Sequence, residues 1–334
     1  MTQAERPTVI VALNLAADLK DKIAQTCEVH MVPLGKPLDE HVPADVRAKA
    51  VGILTTALTP IKAPVFAAFP QLRVSSNMAV GYDNVDVGAA SASKVVICNT
   101  PGVLDAAVAD VCMAFILNLA RKTFELERFA RDGSWTKGSP PLSMDVAGKT
   151  LGLLGMGRIG KVLARRARAF DMNVVYHNRK HDQEAEQAGL ASYVGRDELF
   201  SQSDFVSVHI PLTPETKGSI GAREFGLMKP SAYFINTARG TVVDEEALIA
   251  ALKDGKIAGA GLDVMAKEPL DPANPLTSLP NVILQPHIGS GTVETRRAMI
   301  ELAVDNLLDA VAGRQPKAMV NPEVWDAVAQ KAAK

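Results

Sequence analysis

The sequence predicts an α/β protein of two Rossmann-like domains, a flavodoxin-like domain and a doubly wound, dinucleotide-binding domain. Three observations carry that prediction. At 334 residues the chain exceeds what one hydrophobic core usually supports. Short β-rich apolar runs alternate with helical patterns almost throughout, the order that builds parallel sheets covered by helices. The runs also fall into two series, parted by one long helical pattern.

The first series places strands at 9–13, 29–32, 51–54, 72–75 and 95–98, and five strands suit a flavodoxin-like sheet. A helical pattern then runs from 106 to about 131. Its apolar face, Ala109, Cys112, Met113, Ile116, Leu117 and Ala120, has i, i+3, i+4 spacing and reads as a packed helix bridging the domains. The second series, at 150–154, 173–176, 204–208, 232–235, 258–263 and 282–284, has the six strands of a dinucleotide-binding fold. A last helical pattern, 293–312, returns to the first domain in this reading and makes it discontinuous. The expected domains are 1–101 with 291–334, which binds substrate, and 102–290, which binds the dinucleotide.

Composition limits the partners. With 47% apolar and 22% charged residues the chain is globular, and a net charge of −1 gives no field to draw nucleic acid or anionic lipid. A small molecule is the expected ligand, with no nucleic-acid or membrane partner. Cys27, Cys98 and Cys112 are too few and too scattered for a disulfide framework or a zinc site, and read as reduced thiols. The charged N-terminus lacks the pattern of a signal peptide, and the longest apolar stretch, 111–117, is too short to span a bilayer. A cytoplasmic location is the expectation.

The strand at 150–154 runs into Gly155-Met156-Gly157-Arg158-Ile159-Gly160 and then into a helix former, which is Gly-x-Gly-x-x-Gly in its strand–turn–helix setting. Gly155 permits the tight turn, Gly157 lets backbone approach a pyrophosphate, and Gly160 lets the helix pack close to the strand. The helix then offers free N–H groups to the phosphates. About twenty residues on, an NAD-specific fold places an acid for the ribose 2′-hydroxyl. Here stands Tyr176-His177-Asn178-Arg179-Lys180. Asn178 can hydrogen-bond a 2′-phosphate and Arg179 and Lys180 can neutralise it, so NADP(H) is favoured and NAD(H) is the second choice. The plainer reading makes Arg179 and Lys180 ordinary solvated loop charges. His177 and His181 straddle a strand end and a loop instead of sharing a helix face, so no metal is expected.

Hydride transfer from such a cofactor to a small 2-oxo acid asks for a cation on the carboxylate and carbonyl, an acid for the developing alkoxide, and a partner that keeps the acid protonated. Arg gives a planar charged fork, His a proton donor near neutral pH, and a neighbouring carboxylate favours imidazolium. Three segments that follow predicted strands supply the set: Phe234-Ile235-Asn236-Thr237-Ala238-Arg239-Gly240, the stretch from Gly261 to Glu268-Pro269, and Leu284-Gln285-Pro286-His287-Ile288-Gly289. Strand C-terminal ends are where open α/β sheets bind ligands.

With these segments, and with Asn77-Met78-Ala79-Val80-Gly81-Tyr82-Asp83-Asn84-Val85-Asp86, Asn99-Thr100-Pro101-Gly102-Val103 and the stretch Val208-His209-Ile210-Pro211 through Thr216, the chain resembles the D-isomer-specific 2-hydroxyacid dehydrogenases over residues 69–321. The resemblance implies Arg239 as substrate anchor, His287 as acid/base and Glu268 as its partner, with the Val80 and Gly81 N–H groups on the substrate carboxylate. It implies further that Asp263 bonds the nicotinamide carboxamide and that Thr237 and Ala238 lie along the cofactor. Arg158, Ile159, Pro211, Thr216 and Gly289 join that cofactor set, and His209 is a structural residue at its adenine end.

The segment Gly133-Ser134-Trp135-Thr136-Lys137-Gly138 with Met144-Asp145-Val146-Ala147-Gly148-Lys149-Thr150 looks like the glyoxylate/hydroxypyruvate and hydroxyphenylpyruvate reductase branch. The missing acid at the ribose agrees with that branch's NADPH preference. Trp135 either reaches a neighbouring subunit's active site or packs in a dimer interface, and a homodimer is expected on both readings. Residues 54–58 are expected to wall the substrate side-chain pocket. No regulatory extension is expected beyond the last helix. Two rivals remain at this stage: a nucleotide-sensing, corepressor-like binding protein, which would keep the fold and the triad, and a phosphite dehydrogenase, against which the absent acid and the Trp135 segment argue.

Overall fold

The computed structural model describes residues 6–332, so the N-terminal reading at Met1 to Glu5 lies outside the described residues. The chain divides into two compact units, one reaching Leu104 and resuming at Val293, the other Asp105–Thr292.

The first unit holds a parallel sheet of β1 (Thr8–Val11), β2 (Glu28–Met31), β3 (Ala50–Thr55), β4 (Val74–Asn77) and β5 (Val96–Cys98). Their order, β2-β1-β3-β4-β5, is flavodoxin-like. Because helices cover both faces, β1 and β3 are buried along their whole length and read as unbroken apolar runs. The helix Val293–Val311 lies on β3 and β4, with Ala303, Val304, Leu307 and Ala310 in one buried cluster with Val9, Val11 and Leu54. Burial of a leucine such as Leu307 contributes about 1.5–3 kcal/mol. The fit leaves no room for a side chain on Gly52, where a Cβ would come within 2.7 Å of Leu307. Strand β4 sits two residues later than the pattern at 72–75 suggests. It ends in buried Ser75, Ser76 and Asn77, whose polarity hides a strand from a hydrophobic reading.

The second unit holds β6 (Thr150–Leu154), β7 (Asn173–His177), β8 (Ser192–Tyr193), β9 (Phe205–Val208), β10 (Tyr233–Asn236), β11 (Gly259–Leu262) and β12 (Val282–Leu284), all parallel. The order β12-β11-β10-β9-β6-β7-β8 is doubly wound, with its switch point between β6 and β9. Seven strands replace the six expected: β8 is a two-residue edge strand on β7, too short to show alternation. The expected single helix over 106–131 is two, Asp105–Arg121 and Thr123–Arg131, broken at Lys122 with φ 51°. The first packs on β10 and β11, where Phe115 fills the space beside Gly261. The second buries no residue fully, with Leu126 and Phe129 half-buried.

Candidate active site

The glycine turn is shaped by its neighbours. Gly155 has φ +107°, and a Cβ there would lie 2.8 Å from the His209 carbonyl carbon, so only glycine lets β6 and the end of β9 approach across the switch point. Gly157 caps the helix Arg158–Ala169 with no side-chain bond, and a Cβ there would meet nothing within 4 Å. Open space in front of uncapped helix N–H groups suits a pyrophosphate. Asn178, at the end of β7, accepts from the Met156 N–H through Oδ1 at 2.8 Å, which assigns the amide NH2 to the other side as a donor. Arg179 and Lys180 are exposed beside it. Glu215, on the loop after β9, lies below the usual carboxylate range through its hydrogen bond with Thr213 and also through the charge of Arg179. These donors and cations fit an anionic adenosine ribose.

Other residues expected along the cofactor hold the loops in shape. Thr216 Oγ1 donates to the Pro211 carbonyl at 2.6 Å and accepts from the Thr213 N–H at 2.8 Å. His209 Nε2 lies 2.9 Å from Ser207 Oγ, and burial pushes the imidazole down to about 4, leaving it neutral at pH 7. Thr237 Oγ1 lies 3.2 Å from the buried Cys112 thiol.

The chemical groups stand at the C-terminal ends of β10, β11 and β12. His287 Nδ1 is 2.7 Å from Glu268 Oε2. Burial pulls the Glu268 carboxyl upward, but the bonds from His287 and the Met265 N–H and the charges of His287 and Arg239 outweigh it and leave it below its ordinary value. Arg239 therefore acts on the same carboxylate. It sits after β10, where Asn236 Nδ2 donates to its carbonyl at 3.0 Å and Asn236 Oδ1 accepts from the Ala238 N–H at 3.0 Å. Sequence reasoning missed Asn236 as a positioning residue. Its signal was an asparagine ending an apolar strand, since a buried amide needs partners.

Asp263, expected on the nicotinamide, holds the backbone at His287 in the structure. Only 1% exposed, it accepts from the Ile288 and Gly289 N–H groups at 2.7 and 2.8 Å, and its carbonyl accepts from the His287 N–H at 2.9 Å. Burial raises its pKa and those two bonds lower it, with a net upward shift. The N–H of Gly289 is thus engaged by Asp263.

In the first unit the Val80–Gly81 turn follows β4. Asn99 Nδ2 donates to the Val80 carbonyl at 2.9 Å and Asn77 Nδ2 to the Gly81 carbonyl at 3.1 Å. Asn84 ties the same turn to the segment after β3, donating to the Thr56 and Thr59 carbonyls at 3.2 and 2.9 Å. Trp135 lies on a short turn of the second unit, 69% exposed, and nearby in sequence Leu142 is 92% exposed.

Among the described residues no group of three His, Cys, Asp or Glu side chains is placed to hold a metal ion, and no helix is long and apolar enough to cross a membrane.

Residues 113–289 match the family model described as D-isomer specific 2-hydroxyacid dehydrogenase, NAD binding domain. The glyoxylate/hydroxypyruvate reductase B of Shigella boydii is 45% identical over 324 residues, 96% of this chain and 100% of that protein. An NADPH-dependent glyoxylate/hydroxypyruvate reductase of Sinorhizobium meliloti, solved with NADP and malonate, superposes with a TM-score of 0.86 at 35% identity, covering 95% of this chain and 97% of that one. A glyoxylate reductase of Paecilomyes thermophila gives a TM-score of 0.88 at 33% identity, over 96% and 100% of the two chains. The chain belongs to the D-isomer specific 2-hydroxyacid dehydrogenase family and groups within it with the glyoxylate/hydroxypyruvate reductase branch.

Proposed function

We propose that the protein reduces small 2-oxo acids such as glyoxylate or hydroxypyruvate to D-2-hydroxy acids, preferring NADP(H) and accepting NAD(H). The observation that carries this reading is the 2.7 Å contact of His287 Nδ1 with an ionised Glu268, beside Arg239, at the strand ends of a dinucleotide-type sheet. The relatives' names and the Asn178-Arg179-Lys180 segment support the substrate class and the cofactor preference.

Bound nicotinamide supplies the hydride. The chain's own groups do the rest. With Nδ1 on Glu268, His287 presents Nε2 as the proton-transferring atom, and Glu268 holds the ring in that orientation. Arg239 binds the carboxylate and polarises the carbonyl, and its charge offsets the alkoxide as it forms. The Val80 and Gly81 N–H groups bind the substrate carboxylate, a role favoured by the fixing of both carbonyls by Asn99 and Asn77. In the other direction His287 takes the hydroxyl proton.

The protein works as a homodimer in the cytoplasm on this proposal. The exposed Trp135 and Leu142 suit a partner surface, and three free, buried thiols suit a reducing compartment. A monomer by light scattering, or recovery from an extracytoplasmic fraction, would remove the respective part.

The test is the absorbance of reduced nicotinamide with NADPH or NADH against glyoxylate, hydroxypyruvate, hydroxyphenylpyruvate and 2-ketogluconate. Rapid loss of NADPH with one of the first two is the expected result. Binding of dinucleotide with no turnover would overturn the enzyme reading in favour of a nucleotide sensor, and oxidation of phosphite with NAD would overturn the substrate class. The relatives reported above are named for neither.

A further inference from the structure

The carboxylate that partners His287 stands on an exposed loop. Ala266, Lys267, Glu268 and Pro269 are all open to solvent, and within the loop Glu268 Oε1 accepts only a near neighbour's N–H, that of Met265 at 3.0 Å. A contact as short as 2.7 Å between Glu268 and His287 needs that backbone fixed from outside.

A second carboxylate supplies the fixing. Glu245 Oε2 accepts from the Ala266 N–H at 2.8 Å, and its Oε1 accepts from Asn274 Nδ2 at 2.8 Å. Asn274 is itself set, since its Oδ1 accepts from the Leu276 N–H at 2.9 Å and caps the turn Pro275–Ser278. The helix that presents Glu245, Glu245–Lys253, is capped by Asp244 and held down by buried Leu248, Ala251 and Leu252. From the other direction Gly240, next to Arg239, presses on the Met265–Ala266 peptide so closely that a Cβ would overlap it. The loop is gripped between the Arg239 turn and Glu245.

We propose that Glu245 is a positioning residue for the acid–base pair: with one oxygen on the Ala266 N–H and the other on Asn274, it fixes the loop that sets the Glu268–His287 contact. The proposal rests on the reading of Glu268 and His287 as that pair. A carboxylate at a helix N-terminus would be favourable in any case, through the helix dipole. That bland role needs only the charge, whereas the proposed one needs the reach of a glutamate.

The distinction sets the test. Glu245→Asp keeps the charge at the helix end but withdraws the oxygens by one methylene. The expected result is a fall in kcat of about tenfold, from misplacement of the pair, with NADPH affinity unchanged. Amide exchange over 264–269 in the cofactor-free protein should accelerate. Glu245→Gln keeps the reach and one acceptor oxygen, and should recover most of the loss in both readouts. In a Glu268→Ala background Glu245→Asp should cost nothing further, because the contact it serves is already gone. Wild-type kcat and exchange in Glu245→Asp, or an undiminished loss in the Glu268→Ala background, would overturn the proposal. Full turnover in His287→Ala would instead remove the acid–base reading itself, so the two failures are distinguishable.

Discussion

His287 holds a left-handed backbone, φ 55°, which a non-glycine residue adopts at a cost of order 1–3 kcal/mol. Asp263 offsets that cost with three acceptors on consecutive N–H groups, 287 through 289, and so sets the ring's starting point while Glu268 sets its rotation. His287→Ala is expected to bind NADPH normally and to lose about 10²–10⁴-fold in turnover, the usual contribution of a placed general acid. Arg239→Lys should be nearly as severe and should also raise the KM for the oxo acid, because a point charge cannot replace the planar fork. Steady-state rates beside cofactor titrations decide both; turnover within twofold of wild type in either variant would sink that residue's role. The three residues proposed for the chemistry could be picked out because each follows a strand end in a motif whose types match it, and the structure brings His287 within 2.7 Å of Glu268. Asn236, Glu245 and the backbone duty of Asp263 could not, because each acts on a peptide group that the fold brings near, and no spacing in the sequence announces it.

At the scale of elements, the same division appears around β7. The absence of an acid after the strand could be read directly, and it argues for a 2′-phosphate. What the sequence left open is the direction of the Asn178 amide, which the Met156 N–H settles by engaging Oδ1. Asn178→Asp retains that bond and exchanges the NH2 donor for a charged acceptor, which suits a ribose hydroxyl and repels a phosphate. The ratio of kcat/KM for NADPH over NADH should fall at least about tenfold, each tenfold being about 1.4 kcal/mol; an unchanged ratio would shift the preference onto Arg179 and Lys180 alone. Long, wholly buried strands such as β3 were legible as apolar runs. The edge strand β8, two residues long, and the break at Lys122 were not, since the first has no room for a period and the second is a single left-handed residue between two helical patterns, with no glycine or proline to mark it.

For the molecule as a whole, closely packed parallel sheets set a condition on pH. His209 is carried to the switch point by β9, and burial pushes its pKa from 6.5 to about 4. Between those values the unfolded chain binds a proton at this site that the folded chain refuses, so stability is complete above pH 6.5 and declines as pH falls through about 4. The loss attributable to this one imidazole is about 3 kcal/mol, at 1.36 kcal/mol per pKa unit. Glu268, held below its ordinary value, adds a loss of the same sign further into acid, whereas Asp263, held above it, works in the opposite sense. Thermal midpoints of the wild type and His209→Gln, measured from pH 7 to pH 4, separate the contribution. The variant keeps an amide near Ser207 but cannot titrate, so its midpoint should fall less steeply over that interval. Parallel curves would mean that another group carries the acid sensitivity and that His209 stays accessible to protons in the folded protein.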